Sequence, residues 1–482
     1  MSLETLAPAL GVLLVLIGLA SSLWLLRAPS IYLLSIHVIS RVILDSQSAV
    51  TYEKVAAGLS VMQLYSVAFI GAAALHLLIQ RKFTFHRYTM PLLAIVATAL
   101  LSATIAESWT AMIALALRWS YLWVMIGLTV STLEQGHGER LIWAVAAAGV
   151  YAFGNQMYTV ITDQPKWGAG IWSYVGTFNH ESDISFLLIM LLIPGVYLIS
   201  RADSALKSLV GAGFIVAVHL GLGYAAYRSL WVATAGYWGF YLWTRYLRGS
   251  TSRRATWMIA SLGGGMFAVA LFGSTVVEKM SDLVFFVANP SQYLDFSGNA
   301  KSVDLMSGRV DLINGYMALF LNSGSNVWVA GIGPSQGAKY VGLYAHNEYL
   351  SALVETGILG LVALLWFLWR FVVDAFSLTR SGDALAQATA PYVMAILLAS
   401  LGTMPFQDMR AMLTLGLVLG ALVYFCKLQR QPASECVPDN ETENVAAVPR
   451  ERRSGRDSGD DSELPGPTGP QILSLHPVEI LR

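Results

Sequence analysis

Long apolar runs are the feature that most limits what this chain can fold into. Several reach the roughly 20 residues that an α-helix needs to cross a bilayer. Among them are Leu6–Leu26, Leu59–Gln80, Leu141–Ile161, Leu230–Leu247 and Leu350–Phe376. Backbone groups in a bilayer core must be satisfied within each segment, and these runs do not alternate as the strands of a β-barrel do. Only 12% of the 482 residues are charged, against roughly a quarter in a soluble domain. The sequence therefore predicts an all-α, polytopic membrane protein.

The basic residues indicate how the runs cross the membrane. They cluster in alternate connections, which the positive-inside rule places in the cytoplasm. These residues are Arg81, Lys82, Arg87, Arg140, Arg201, Lys207, Arg245, Arg248, Arg253, Arg254, Arg370, Arg380, Lys427 and Arg430. Leu6–Leu26 lacks a basic n-region and a clear cleavage site, so we interpret it as a retained helix. Because Ile31–Leu44 is short, the pattern favours about twelve spans, with thirteen as the alternative.

The chain divides into four parts by composition. Residues 1–275 hold the N-terminal transmembrane helices, residues 276–345 form a large outer loop, and residues 346–430 hold the C-terminal helices. Residues 431–482 contain mixed charges, Ser, Gly and Pro with few apolar residues in their centre, which is typical of a disordered tail. Such a long outer loop is usually functional or disordered.

Part of this outer loop has a helical pattern. Its apolar residues at helical spacing are Val310, Leu312, Ile313, Tyr316, Met317, Leu319 and Phe320. Ser307 is a candidate N-cap for this segment. The pattern predicts an amphipathic helix that lies near the membrane surface.

The end of the outer loop and the start of the next span carry the most informative polar residues. Gly331–Pro334 predicts a tight turn, and Ala345–Leu350 places His346 at the outer start of a helix. A Glu-x-Gly-x-x-Gly run follows at Glu355–Gly360. Glu348 and Glu355 are seven positions apart, so they share one helix face. Carboxylates within a span are costly and normally face the protein interior.

This composite pattern resembles the signature of the O-antigen ligase and polymerase superfamily. Members of that family are multi-span membrane glycosyltransferases with a large periplasmic loop before the last helices. Their signature is a glycine-rich turn, a His followed by Asn or Ser, and a Glu-x-Gly-x-x-Gly run. The matching residues are Gly331, Gly333, His346, Asn347, Glu355, Gly357 and Gly360. Beyond this region the resemblance extends to the general layout and to scattered residues.

The resemblance implies roles for individual residues. Arg228 and Arg309 occupy places where family members carry arginines that grip the diphosphate of a lipid donor, and guanidinium suits phosphate oxygens. His346 would act as the catalytic base, and Asn347 and Glu348 beside it are candidates for substrate contacts. Each has an alternative: helix capping for His346, an interfacial position for Arg228 and helix packing for Glu348.

A second candidate segment lies in the outer loop from about residue 163 to 183. Gly176–Asp183 resembles the family's pattern of Gly, an aromatic residue and Asn or His before a helix. His180 is therefore a candidate for binding sugar hydroxyls, with a structural role as the alternative. Arg41 and Arg118, which fall within apolar runs, indicate helix packing or lipid contacts, with a position facing the donor as the alternative for Arg118.

Several enzyme motifs are absent from the sequence. It has no Gly-rich nucleotide loop, no metal-spaced His or Cys cluster and no Asp-x-Asp pair, which predicts no cofactor and no metal. A glycosyltransferase without these sites needs an activated donor, and an undecaprenyl-diphosphate-linked glycan fills that need. The expected acceptor is a glycan or lipid A–core. Membrane lipids and polysaccharide-assembly proteins are the other expected partners, without nucleic acid.

The resemblance implies a metal-independent, inverting enzyme of the bacterial inner membrane whose site faces the periplasm. It leaves open whether the chain is an O-antigen ligase or an O-antigen or exopolysaccharide polymerase, because both use the same donor. The rival hypothesis is a transporter or flippase of lipid-linked oligosaccharides. That function predicts internal repeats and ionisable residues near mid-membrane, whereas the polar residues of interest gather at the outer ends of the spans.

Overall fold

The computed structural model describes residues 28–56, 59–82, 85–168, 171–248, 281, 285, 288–289, 293–294, 308–379 and 381–430. The predicted first span, the proposed cap Ser307 and the predicted disordered tail lie outside the described residues. The protein is mostly helical, as the sequence predicts. Within the described residues, eight helical segments are long and apolar enough to cross a membrane. The total of about twelve spans stays a prediction.

The helices and strands are numbered here in chain order. The helices are α1 Ser30–Ser46, α2 Ser48–Thr51, α3 Val61–Ile79, α4 Thr89–Ala106, α5 Trp109–Glu134, α6 Gly138–Ile161, α7 Glu181–Ile189, α8 Leu192–Ser200, α9 Ala205–Ala225, α10 Arg228–Arg248, α11 Arg309–Leu321, α12 Ser325–Ala330, α13 Gly337–Val341, α14 Glu348–Leu378, α15 Ala384–Thr389, α16 Tyr392–Gly402 and α17 Met409–Leu428. The strands are β1 Lys54–Ala56, β2 Leu59–Ser60, β3 Lys166–Gly168 and β4 Ile171–Ser173. They form two antiparallel hairpins, β1–β2 and β3–β4, so the described fold is not purely helical.

Prolines explain two interruptions of the spans. The α7–α8 segment is broken near Met190, four residues before Pro194, whose ring clashes with a helical carbonyl at that distance. Pro391 occupies the cap position of α16 and separates it from α15. Each pair still forms one apolar segment long enough to cross a bilayer, namely Glu181–Ser200 and Ala384–Gly402.

Small residues allow the close pairing of α5 with α17 in the middle of the bundle. A β-carbon added to Gly416 would lie 2.5 Å from Cβ of Met125, and one added to Gly420 would lie 2.4 Å from Cβ of Thr129. Glycines in membrane helices permit such backbone approach, which increases van der Waals contact where the hydrophobic effect is weak. This pairing positions the first turn of α17 and the loop that precedes it.

Contacts between connecting segments identify the two ends of the bundle. At one end Glu134 binds Lys82 at 2.6 Å and Lys427 at 2.7 Å, and both lysines belong to the predicted cytoplasmic set. At the other end Ser48 donates to the carbonyl of Thr177 at 3.3 Å. The starts of α7, α10, α14 and α17 also lie at this second end, as the contacts described below establish. The placement of that end in the periplasm stays a prediction.

The helix predicted in the outer loop is present as α11. Its N-cap is Gly308, and no side chain of the described residues caps this end. Tyr316 is fully buried and packs with Leu350 and Val354. Its hydroxyl donates to the carbonyl of Leu343 at 3.0 Å. The helix is thus held against α14 and the remainder of the loop.

A break in α14 joins that helix to the outer loop. Gly357 has φ of +71°, in the left-handed region, and a β-carbon there would lie 2.2 Å from the carbonyl oxygen of Val329. A β-carbon on Gly331 would lie 2.3 Å from the carbonyl oxygen of Glu355. The amide of Ile332 donates to the carbonyl of Val354 at 3.0 Å. This hydrogen bond satisfies a carbonyl that loses its helical partner at the break. The glycines of the signature therefore build this joint.

Replacing Gly357 by Ala is expected to destabilise the protein by about 3 kcal/mol. The left-handed backbone costs an L-residue roughly 1–2 kcal/mol, and the clash with Val329 adds roughly 1–3 kcal/mol. Gly342→Ala is the matched control, because Gly342 has φ of +89° and no atom of the described residues within 4 Å of its added β-carbon. Thermal unfolding in detergent measures both. Equal losses in the two variants would contradict a tightly packed joint.

Candidate functional site

His346 precedes α14 in a constrained backbone conformation. Its φ is +48°, which is uncommon for a residue other than glycine and persists only where the surroundings impose it. Asn347 caps α14, with its side-chain oxygen accepting from the amide of Leu350 at 2.9 Å. The side-chain amide of Asn347 donates to the carbonyl of Leu401 at 3.0 Å. These two hydrogen bonds of Asn347 fix the backbone next to His346.

Arg228 begins α10 after a similarly tight turn. Ala226 has φ of +54° and ends α9, so the chain reverses within a few residues. The hydroxyl of Ser229, which is buried, donates to the carbonyl of Gly402 at 3.0 Å. Arg228 is thereby held beside the same turn that binds Asn347.

Arg309 reaches this turn from the outer loop as the first residue of α11. A β-carbon added to Gly402 would lie 2.6 Å from Oγ of Ser229 and 3.8 Å from Nη1 of Arg309. Only a residue without a side chain leaves room there for both groups. Among the described residues, no carboxylate forms an ion pair with Arg309.

The turn Leu401–Thr403 thus brings the three predicted site residues together. It binds Asn347 next to His346, it binds Ser229 next to Arg228, and it packs on Arg309. Sequence reasoning did not identify this turn. It has no motif of its own, since it consists of three residues at the end of an apolar helix. Its role arises from contacts with distant segments.

The electrostatics of this end favour an anionic ligand. Burial lowers the pKa of Arg309, the phenol of Tyr227 opposes this shift, and the charge of Arg228 adds to it. Arg309 stays charged nonetheless, because the ordinary pKa of arginine is above 12. Burial also raises the pKa of Tyr227, so its hydroxyl stays protonated and can donate a hydrogen bond. Two neighbouring cations and a phenol are groups that suit phosphate oxygens.

His346 lies within the influence of the same charges. Its pKa is lowered first by burial, then by the charge of Arg309, then by His180. The imidazole is therefore neutral over a wider pH range than an exposed histidine, and a neutral imidazole can accept a proton. No described residue forms a hydrogen bond with its ring. This combination is suited to a general base.

His180 has a clear structural role and also lies near the site. It occupies the N-cap of α7, where its backbone amide donates to Asp183 at 3.0 Å. Its imidazole contacts Glu181 at 3.1 Å and lies edge-on to the ring of Tyr227, with 6.2 Å between the ring centroids. The structural alternative therefore has direct support, while contact with sugar hydroxyls stays a prediction.

The carboxylates of Glu348 and Glu355 in α14 point into the protein. Glu348 is buried and accepts from the amide of Phe406 at 3.1 Å. Glu355 is buried and accepts from the amide of Ser335 at 2.9 Å, and the charge of Arg118 acts on both carboxyl groups. These contacts support helix packing, and a substrate contact by Glu348 stays a prediction.

A buried charge network lies near the candidate site, at the start of α7. Sequence reasoning did not identify it. Arg410 forms ion pairs with Asp183, with Asp45 at 3.3 Å and with Asp408 at 3.6 Å. Its guanidinium also donates to the hydroxyl of Tyr52 at 2.9 Å. Buried ion pairs of this kind must be well hydrogen-bonded to offset desolvation. Because Asp183 also receives the amide of the α7 cap residue, the network fixes the start of α7.

The signal that could have identified this network was present in the sequence. Arg410 is a charge at the start of the last apolar run, and charges in membrane-spanning segments normally pair within the protein. Arg41 illustrates the same rule, since it is buried and binds Asp45 at 2.7 Å, in agreement with its predicted packing role. Among the described residues, no group of three or more His, Cys, Asp or Glu side chains could hold a metal ion.

Comparisons with known proteins give no family for this chain. Neither the models of protein families nor the curated proteins produce a match. The resemblance to O-antigen ligases and polymerases therefore depends on the motif residues and on where the fold places them.

Proposed function

We propose that the protein is a membrane glycosyltransferase. It moves a glycan from a polyprenyl diphosphate, of the undecaprenyl type, onto a periplasmic acceptor in surface polysaccharide synthesis. The observation that carries this proposal is the meeting of Arg228, Arg309 and His346 around Leu401–Thr403 at one end of the bundle. Cations next to a neutral base match the needs of a diphosphate-linked donor and a hydroxyl acceptor.

The arginines act on the leaving group. Arg228 and Arg309 bind the diphosphate, and Tyr227 donates a hydrogen bond to it. Negative charge builds on the diphosphate as the bond to the anomeric carbon breaks. Fixed cations therefore stabilise the transition state more than the ground state.

His346 acts on the acceptor. A ring nitrogen takes the proton of the acceptor hydroxyl while the hydroxyl oxygen forms a bond to the anomeric carbon. The diphosphate leaves with the electron pair of the broken bond. Attack from the face opposite the diphosphate inverts the anomeric centre. The proton then passes from the imidazolium to the departing diphosphate or to water.

A transfer assay tests the proposal directly. Purified protein in lipid nanodiscs is incubated with a lipid-linked glycan and candidate acceptors, without ATP or added metal. A glycan joined to lipid A–core would identify a ligase, and a lengthened lipid-linked glycan would identify a polymerase. Absence of any product with either acceptor would count against the enzyme.

The rival function is movement of lipid-linked oligosaccharides across the membrane. It requires ionisable groups near mid-membrane, but the charges of the Arg410 network lie in the first or last turns of their helices. Asp45 is next to the end of α1, Asp183 is the third residue of α7, and Arg410 is the second residue of α17. A fluorescent lipid-linked sugar that changes leaflet without being transferred would favour this rival.

The pH dependence provides a further prediction. Because the pKa of His346 lies below its ordinary value near 6.5, kcat/KM should stay high at neutral pH and fall only in more acidic solution. Arg309 contributes to this lowering, so Arg309→Gln should move the acidic limb of kcat/KM to higher pH. Bound diphosphate offsets the charge of Arg309 and therefore raises the pKa of His346 in the complex with donor. The acidic limb of kcat should consequently lie at higher pH than the acidic limb of kcat/KM. If the acidic limb of kcat/KM lies at the same pH in the parent protein and in Arg309→Gln, this coupling is contradicted.

A further inference from the structure

A pair of exposed tryptophans forms the outward face of the β3–β4 hairpin. Trp167 and Trp172 lie opposite each other in the register of the two strands. Their ring centroids are 5.1 Å apart in an edge-to-face arrangement. They are 61% and 63% exposed, and neither indole N–H donates to an acceptor in the part of the chain that the structure describes. Contiguous exposed apolar surface marks an interaction site, whereas a single exposed side chain does not.

The alternation of side chains along a strand explains why this tryptophan pair points outward. Successive side chains of a strand point to opposite faces, and Ser173, next to Trp172, is fully buried. The hydroxyl of Ser173 donates to Glu181 at 3.0 Å. On the other strand, the ammonium group of Lys166 donates to the carbonyl of Phe178. The inner face of the hairpin is therefore held on the segment that begins α7, and the tryptophan pair lies on the opposite face.

The same contacts join the hairpin to the candidate site. Glu181, which binds Ser173, also contacts the imidazole of His180 at 3.1 Å. His180 in turn lies close enough to His346 to act on its charge. Three neighbouring side chains thus lead from the hairpin to the proposed base. The tryptophan pair is consequently at the same end of the bundle as His346.

The position of the hairpin favours a ligand in water over contact with the bilayer. Tryptophans that anchor a protein at the membrane surface lie at the ends of spans that face lipid. The hairpin rests on the start of α7–α8, which has the largest buried share, 89%, of the eight candidate spans among the described residues. It therefore covers the interior of the bundle rather than the rim that faces lipid.

Polar groups beside the tryptophan pair make this surface suited to carbohydrate. The hydroxyl of Tyr174, two residues after Trp172, donates to Asp163 at 2.7 Å in an exposed hydrogen bond. A sugar ring carries polarised C–H groups, which pack on the negative face of an aromatic ring. Its hydroxyls can accept from the indole N–H groups and donate to the carboxylate. Aromatic rings with a few polar groups at their edge are typical of a ligand site.

We propose that the tryptophan pair binds a sugar ring of the acceptor. This inference rests on the proposed function and adds the acceptor's binding site to it. The donor is held through its diphosphate by Arg228 and Arg309, whereas the reacting group of the acceptor is a neutral hydroxyl that these cations do not select. Stacking on uncharged rings supplies affinity for the acceptor. The stacked ring then orients the acceptor, whose hydroxyl loses its proton to His346.

Acceptor kinetics test this assignment. Trp167→Ala and Trp172→Ala are each expected to raise KM for the acceptor by about five- to tenfold, because an aromatic contact contributes on this order to binding. KM for the donor and kcat should stay near the parent values. Trp172→Phe retains an aromatic face and should have a smaller effect. Trp109→Ala is the matched control, because Trp109 is 49% exposed at the start of the span α5. It should keep the parent KM for the acceptor.

Saturation-transfer NMR provides a readout that does not depend on transfer. The protein in nanodiscs is mixed, without donor, with the oligosaccharide released from lipid A–core and, separately, with the saccharide released from the lipid-linked glycan. Signals from sugar C–H groups should appear with at least one of them. They should disappear in the double variant Trp167→Ala/Trp172→Ala, whose unfolding temperature should stay near that of the parent. Such signals in a protein without transfer activity would support the site while contradicting the enzyme.

Several results would overturn the assignment. An active double variant with an unchanged KM for the acceptor would do so, as would a rise confined to KM for the donor, which would place the donor's glycan on the pair. Absence of NMR signals with both saccharides would also contradict it. Brominated phospholipids quench tryptophans that they touch, so they test contact with the bilayer. If replacing both tryptophans by Phe removes part of the quenched fluorescence, the pair lies in lipid and the assignment is wrong.

Discussion

His346→Ala is expected to lower the rate of glycan transfer by roughly a thousandfold, because a positioned general base contributes about 10²–10⁴-fold. The remaining binding groups stay in place, so donor binding should change little. The loss should therefore appear in kcat. His346→Gln retains hydrogen bonding but cannot accept the proton, and it should be as inactive as the alanine variant. Rates are measured with purified protein in nanodiscs and a saturating lipid-linked donor.

His137→Ala is the matched control for this experiment. His137 precedes α6, close in the chain to Glu134 at the opposite end of the bundle, and its side chain makes no capping bond. It should keep the parent rate. Unfolding temperatures of both variants should remain near that of the parent, which separates loss of chemistry from loss of fold. A His346→Ala variant that transfers at the parent rate would exclude this histidine as the base.

Arg309→Ala is expected to lower kcat by roughly 10²–10³-fold, the range seen when one group that stabilises developing charge is removed. Arg309 is half-buried between Arg228 and the turn at Gly402, where reduced solvent screening strengthens its interaction with phosphate oxygens. Arg309→Lys retains the charge but loses the planar fork of donors, so its loss should be smaller, on the order of tenfold. Steady-state kinetics with varied donor separates the effects on kcat and KM.

Lys339→Ala is the control for charge alone. Lys339 is an exposed cation in α13 of the same outer loop. It should have little effect at ordinary ionic strength, because exposed charges are screened. An equal loss in both variants would indicate general attraction of the donor. A change in KM without a change in kcat for Arg309→Ala would contradict stabilisation of the leaving group.

Local sequence patterns predicted several parts of this protein correctly. Apolar length predicted the membrane helices, and helical spacing predicted α11. The position of His346 just before α14 followed from the boundary between polar and apolar residues. The cap of the loop helix is Gly308, whose backbone lies in the left-handed region, and the predicted cap Ser307 lies outside the described residues. Cap positions depend on backbone conformation at single residues, which the apolar pattern does not specify.

The sequence alone determined that the chain has helices long and apolar enough to cross a membrane, and that His346, Arg228 and Arg309 each begin or precede a helix. These properties depend on the hydrophobicity and spacing of neighbouring residues, which a linear pattern records. Only the tertiary structure decided that Leu401–Thr403 joins the three residues and that Arg410 supports Asp183 from a segment more than 200 residues away. These contacts depend on how helices distant in sequence pack together, and the local pattern carries no information about that packing.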